Sequence, residues 1–212
     1  MAQIILLRAT DYIRQPWKNG GGTTIELARK GDADRWLWRL SVADVERSGP
    51  FSDFTGYRRL IVLLEGRGMT LSFDHAAPVV LDERYRPFVF DGGSRTRCDL
   101  VAGPIRDMNL IVDAARVDAS LDVCALDEGA SLRAAAGECA LLHAIGGRFG
   151  VTIGGDTVAL SPGDTLQVDE CHASPLTATA LDPHAVLAQV AIGYRLYSSC
   201  RPQIVRVGAA PC

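Results

Sequence analysis

At 212 residues the chain is long enough for one large domain or two small ones with real cores. Hydrophobic residues make up 48% and charged residues 22%, a soluble globular balance with no run of about 18 apolar residues that would cross a membrane as a helix. The net charge of −3, from 22 basic and 25 acidic residues, argues against nucleic acid as the main partner, which calls for a basic footprint.

The chain opens with MAQIILLRATDY. It lacks a basic leader and a small-residue cleavage site after a long apolar core, so the expected location is cytoplasmic. Next comes RQPWKNGGGTTIELARK, residues 14 to 30. A phosphate loop needs G-x-x-x-x-G-K-[ST] between a strand and a helix. Here Lys18 precedes the glycines, and Thr23 to Leu27 read as a strand. The glycines then either let the backbone pass close beside another strand or take positive φ before the strand begins. In both cases Trp17 and Asn19 stand at the mouth of whatever that strand lines. Thr24 and Glu26 face one way along it, Ile25 and Leu27 the other.

WLWRLSVADV puts Trp36, Trp38, Leu40 and Val42 on one face and Leu37, Arg39, Ser41 and Ala43 on the other. RRLIVLLEG puts Arg59 with Ile61 and Leu63, and Arg58 with Leu60 and Val62. MTLSF, PVVL, RPFVF, CDLVAG, MNLIV, LDVCAL, ALLHAIGG, FGVTIGG, TVALSPGD and TLQVDE continue the series. All are short, rich in Val, Ile, Leu and Phe, and bounded by Gly, Pro or Asp, which is the strand pattern of sandwiches and barrels. Asp107 and Asn109 share a strand face. GASLRAAAGECALL is the one Ala-rich helix candidate, and Gly137 interrupts it. The chain reads as mostly β.

There is an internal echo. Residues 69 to 73 and 149 to 153 are each followed by a turn, an apolar triplet (79 to 81, 158 to 160) and another short strand (88 to 90, 166 to 168). Two copies of one small β module explain this. The first module is placed at residues 1–112 with the N-terminal strands, the second at 120–195, and a tail at 196–212.

GGDTVALSPGDTLQV is similar to the G-D-x-x-x-x-x-P-G-D run of cupin barrels. The wider chain resembles the HutD/Ves family, a two-cupin group. The resemblance is carried by Pro16 to Gly22 with Thr24 and Glu26, by Trp38, Arg39, Ser41 and Ala43, and by Gly49 to Ser52 with Phe54, Gly56 and Arg59. Leu64-Glu65-Gly66, Pro87-Phe88-x-Phe90 and Gly103 with Asp107 and Asn109 complete it. It spans roughly residues 8 to 195 and implies an all-β bicupin fold. It also implies a role connected with histidine utilisation, with a small carboxylate such as urocanate or a formylated glutamate as ligand.

No metal or other cofactor is expected. Cupin metal sites need a His-x-His pair, a carboxylate and a later His, and His75, His143, His172 and His184 provide no such pair. The six cysteines form no C-x-x-C and read as reduced thiols. No G-x-S-x-G elbow is present. The expected site is a pocket: Arg39 and Arg59 (the resemblance selects Arg59 over the adjacent Arg58) as planar forks for a carboxylate, Ser41, Thr24 and Asn19 at the ligand's other end, and Trp17, Phe88 and Phe90 as apolar wall. Glu26, Asp107 and Asn109 complete the polar set. An ion pair between either carboxylate and an arginine would explain the same residues structurally. The function expected is metal-free, non-enzymatic ligand binding, with no catalytic residue and a homodimer left open. The alternatives are a metal-independent isomerase or lyase using Glu26 with Arg39 or Arg59, and a partner-binding module without a ligand.

Overall fold

The computed structural model describes residues 3–32, 35–134, 137–169 and 175–195. The proposed tail at 196–212, Cys171 and His172 lie outside them. Nineteen strands and one 3-10 turn, Ala9–Asp11, form the regular structure among the described residues. The Ala-rich segment contributes the strand Ser131–Arg133 and the start of the strand Cys139–Gly146, and no helix among its described residues.

The strands are β1 (Gln3–Leu7), β2 (Arg14–Pro16), β3 (Gly22–Gly31), β4 (Trp36–Val45), β5 (Gly49–Pro50), β6 (Tyr57–Glu65) and β7 (Met69–Phe73). They continue as β8 (Val79–Leu81), β9 (Pro87–Asp91), β10 (Thr96–Leu100), β11 (Ile105–Asp113), β12 (Val117–Leu126) and β13 (Ser131–Arg133). The last are β14 (Cys139–Gly146), β15 (Phe149–Ile153), β16 (Asp156–Leu160), β17 (Thr165–Asp169), β18 (Leu176–Ala180) and β19 (Ala185–Tyr194).

They form four antiparallel sheets. A six-stranded sheet runs β2-β3-β4-β11-β6-β9 and a five-stranded one β1-β17-β14-β19-β12. Two four-stranded sheets run β5-β10-β7-β8 and β13-β18-β15-β16. The order β9-β6-β11-β4 recurs as β17-β14-β19-β12, and β5-β10-β7-β8 recurs as β13-β18-β15-β16. Each strand of the second set comes eight elements after its counterpart. The echo between residues 69–73 and 149–153 is one pair, β7 and β15, in this duplicated order. One feature departs from the expected division. Gln3–Leu7, counted with the first module from sequence, pairs with β17 of the second set.

Three apolar clusters join these layers. In the first barrel Ile61, Leu63, Met69, Leu71, Cys98 and Ile105 pack together. In the second, Leu142, Phe149, Val151, Leu166, Ala178 and Leu187 do so. Between the large sheets, Trp38, Leu40, Leu60, Val62, Met108 and Leu110 meet Leu121, Leu141, Ala188, Val190 and Ile192. Trp38 Nε1 donates to Tyr194 Oη across that interface at 3.1 Å. Strands β6 and β11 are thus covered on both faces. That is why residues 60 to 64 read as an unbroken apolar run where a half-exposed strand would alternate.

Two bulges shift the alternation read from sequence. On β3, Glu26 pairs with Ser41 but Ala28 pairs with Leu40, so Leu27 is the extra residue. On β4, Lys30 pairs with Trp38 and Gly31 with Trp36, so Leu37 is extra. Leu37 consequently packs with the inter-sheet cluster. Trp36, expected beside Trp38, turns to the other side and packs tilted against Tyr57 at 4.2 Å and edge-on against Phe54 at 6.1 Å. An inserted residue bends the strand and reverses the facing of everything beyond it.

Candidate functional site

The inner face of the six-stranded sheet is polar where the second barrel's is apolar. Strand register fixes its rows. Arg39 and Arg59 both stand opposite Ile111, one strand to either side. Ser41 and Ile61 flank Asn109, and Ala43 and Leu63 flank Asp107. These rows floor a cavity of about 580 Å³. Its lining brings together Trp17, Asn19, Thr24, Arg39, Ser41, Arg59, Asp107 and Asn109 of the residues expected from sequence.

Glu26 and Phe88 are not among the cavity's lining residues. Glu26 shares the face but ends at the rim, paired with Arg29 at 3.3 Å. Phe88 packs with Phe73 and Phe90, ring centroids 6.2 and 5.9 Å away. Phe90, also expected in the wall, is outside the lining too but stands beside Arg59 on the neighbouring strand.

Arg59 is 6% exposed. Its Nη2 donates to Asn109 Oδ1 at 2.6 Å, and Asn109 Nδ2 donates in turn to Asp107 Oδ1. Its guanidinium carbon sits 4.6 Å from the Phe51 ring, 4.9 Å from Phe90 and 5.5 Å from Phe54. Burial pulls its pKa down to about 10; Asp107 opposes the shift and Arg39 adds to it. Asp107 is 1% exposed. Burial pushes its carboxyl up to about 7, with Arg59 opposing and Asp44 adding. Arg39 lies over Trp36 at 5.5 Å and Phe54 at 5.6 Å. Its pKa is also lowered, first by burial. The Nε atoms of both arginines are buried and donate to nothing among the described residues.

The mouth is built by the glycine run. Gly20 takes φ +66 and its N–H donates to the Trp17 carbonyl at 3.0 Å, closing a turn. Asn19 Oδ1 accepts from the Gly21 N–H at 2.9 Å, and Trp17 Nε1 donates to Thr24 Oγ1 at 2.7 Å. Gly22 is different, because a Cβ there would run into the Asp44 carbonyl oxygen of β4. So both roles expected for the glycines occur, at different positions. Gly22→Ala is expected to cost about 2–3 kcal/mol, toward the high end of overpacking, since the atom in the way is backbone of the paired strand. Urea unfolding should show a lowered midpoint, whereas an unchanged midpoint would mean that the approach relaxes freely.

Phe51, Phe54, Trp36 and Lys18 were not picked out from sequence as site residues. Phe51 and Phe54 lie in the irregular loop between β5 and β6, where no periodicity assigns a face. The signals were two aromatics in the otherwise small and polar stretch GPFSDF and their place among the residues that carry the family resemblance. Trp36 was hidden by the bulge.

In the second barrel the matching strands carry Ala140, Leu142 and Ala144 on β14 and Ala185 and Leu187 on β19, all buried around Phe149. The polar floor belongs to the first barrel. Of the histidines, His75 and His184 are exposed, and His143 is buried against Thr165 Oγ1 at 2.9 Å. Among the described residues, no three His, Cys, Asp or Glu side chains gather as a metal group would require.

Comparison with known proteins places relatives around this geometry. The HutD family profile matches residues 9–187. An uncharacterized 21.2 kDa protein of the hutC 3′ region of Pseudomonas putida is 48% identical over 125 residues, covering 57% of this chain and 64% of that protein. Protein Ves of Citrobacter koseri is 36% identical over 109 residues, covering 50% and 56%. The chain thus spans less than two thirds of the length of these curated relatives. Among solved structures, a conserved protein of unknown function from Pseudomonas aeruginosa PAO1 superposes with TM-score 0.83 at 36% identity, covering 90% of this chain and 99% of that one. HutD from Pseudomonas fluorescens SBW25, solved in a formate condition, gives 0.75 at 34%, covering 92% and 100%. A cupin barrel-domain protein from Leptotrichia buccalis (TM-score 0.52, 7% identity, covering 80% and 88%) and the pirin YhhW from Escherichia coli (0.67, 14%, covering 89% and 99%) share the fold alone. The all-β architecture is of the cupin type.

Proposed function

The chain belongs to the HutD family, and on that premise we propose that its first barrel binds a small carboxylate and thereby moderates histidine utilisation. One observation carries the ligand class. Two arginines line one cavity, and each keeps a buried Nε donor without a partner among the described residues. Buried polar groups are normally satisfied, and an unmet one costs about 1–3 kcal/mol. A carboxylate offers two in-plane acceptors for the paired N–H groups along one edge of a guanidinium. Phe51 and Phe54 supply apolar wall beside the arginines, as in small-molecule sites with a few placed polar groups. The family resemblance supports urocanate or formylglutamate as the ligand.

The test is a thermal-shift titration with urocanate, formylglutamate and other pathway acids, against sugars and nucleotides as controls. A ligand at about 100 times its Kd stabilises by about 2.7 kcal/mol, a rise of several degrees for a chain of this size. No rise with any acid would sink the reading.

A second reading rests on Asp107. A carboxyl held near 7 inside a cavity, beside arginines, suits general acid–base work. An isomerase or lyase here would use Asp107, since Glu26 ends at the rim. It predicts turnover of a bound acid that disappears in Asp107→Asn, whereas the binder reading predicts affinity without turnover.

A further inference from the structure

We infer that the ligand of this cavity carries two anionic groups, one held by Arg59 and one by Arg39. The inference rests on the carboxylate reading and narrows it to diacids.

The two guanidiniums occupy separate seats. Both arginines oppose Ile111 from either side, so their Cα atoms stand about 10 Å apart, two strand spacings. Phe51 and Phe90 cage Arg59, whereas Trp36 cages Arg39. Phe54 is the wall they share, at 5.5 and 5.6 Å from the two guanidinium carbons. Rings stacked on the flat faces of a guanidinium leave its edge free, and the edge is where acceptors bind.

Charge points the same way. Asp107 is the only acidic residue in the lining, and it is tied through Asn109 to Arg59. Arg39 makes no ion pair and no side-chain hydrogen bond among the described residues; the nearest candidate, Glu26, is engaged by Arg29. Lys18 adds a third cation to the lining. A single carboxylate on Arg59 would leave half-buried Arg39 with only the distant charge of Glu26 at the rim in its favour, beside the like charge of Arg29. A second carboxylate on the same ligand removes that mismatch.

The experiment is isothermal titration at pH 7.5 with succinate, glutarate and adipate and with the half-amide of each, on the wild-type chain and on Arg39→Met. Methionine keeps the aliphatic stem against Trp36. The best diacid should bind about 10- to 100-fold tighter than its half-amide, the range for one charged hydrogen-bonding group. Arg39→Met should erase that ratio, bringing the diacid down to its half-amide, and weaken the half-amide less than the diacid. A half-amide as tight as its diacid overturns the inference while the carboxylate reading stands. So does an Arg39→Met variant that weakens both by one factor, because both arginines would then grip one carboxylate. Silence from every diacid, half-amide and pathway acid overturns this inference and the carboxylate reading together.

Discussion

Arg59→Ala is expected to weaken acid binding about 10- to 150-fold, the equivalent of 1.5–3 kcal/mol for a lost charged hydrogen bond. The protein should still fold. Arg59 is held by one hydrogen bond to Asn109, and its three aromatic neighbours also pack in the first-barrel cluster or on Trp36. Without the guanidinium, Asp107 loses the one charge that favours its ionised form. It then stays protonated at neutral pH, so no bare carboxylate is stranded in the core. Arg59→Lys should not restore binding, because an ammonium lacks the planar fork and does not stack between Phe51 and Phe90 in the same way. The measurement is titration calorimetry on wild type and both variants, with unfolding curves as the fold control. A folded Arg59→Ala chain of unchanged affinity would remove Arg59 from the site and leave the cavity's arginines as structural ions.

Strands and their facing were legible because burial on a pleated sheet imposes a period of two, and Thr24, Arg39, Ser41, Arg59, Asp107 and Asn109 all obey it. What broke the period was not legible. The bulge at Leu37 sent Trp36 toward Phe54 and Tyr57, and nothing in WLWRL marks an inserted residue. The bulge at Leu27 likewise follows directly after Glu26, which keeps the right face yet ends at the rim beside Arg29. Phe88 also has the right face, but it sits on the edge strand opposite Ile61, where its ring packs with Phe73 and Phe90 outside the cavity. Loop aromatics such as Phe51 and Phe54 carry no phase at all, so their place over the arginines is a tertiary fact. Pairing of β1 with β17 was equally hidden, because edge pairing over more than 150 residues leaves no local trace.

The duplicated order explains why a polar floor can exist in a chain of this size. A lone barrel with Arg39, Arg59, Asp107 and Asn109 inside would have few apolar side chains left for its own core. Here the other face of the same sheet is covered by the second barrel through Trp38, Leu40, Val62, Met108 and Leu110. Burying each large side chain contributes about 1.5–3 kcal/mol, so that interface offsets the cost of desolvating the arginines. The second barrel fills its own interior with Phe149, Leu142 and Leu187 and retains no such floor. Division of labour between two copies follows from packing alone.

Asp107→Asn is expected to stabilise the ligand-free protein at pH 8 and to leave it unchanged near pH 4. The ordinary carboxyl value is 3.8, and burial raises the folded value to about 7. Below 3.8 both folded and unfolded states hold the proton, and Asp107 costs nothing. Between 3.8 and 7 the unfolded chain releases the proton and the native one keeps it. Native protein then binds more protons, and stability falls as pH rises. Above 7 both are ionised, and the cost is full and flat, on the order of a few kcal/mol. Asparagine removes the titration while retaining an oxygen for the Asn109 Nδ2 donor. Denaturant curves at pH 4.5, 6 and 8 should therefore show the variant's advantage growing with pH. The same carboxyl acts on the ligand. An anion seated on Arg59 raises the Asp107 pKa further, so binding near neutral pH takes up a proton and affinity falls as pH rises through 7. In Asp107→Asn that slope should flatten. A variant no more stable than wild type at pH 8 would mean that Arg59 satisfies the ionised carboxylate fully. Asp107 would then be an ordinary buried ion-pair partner, without influence on the pH dependence of the site.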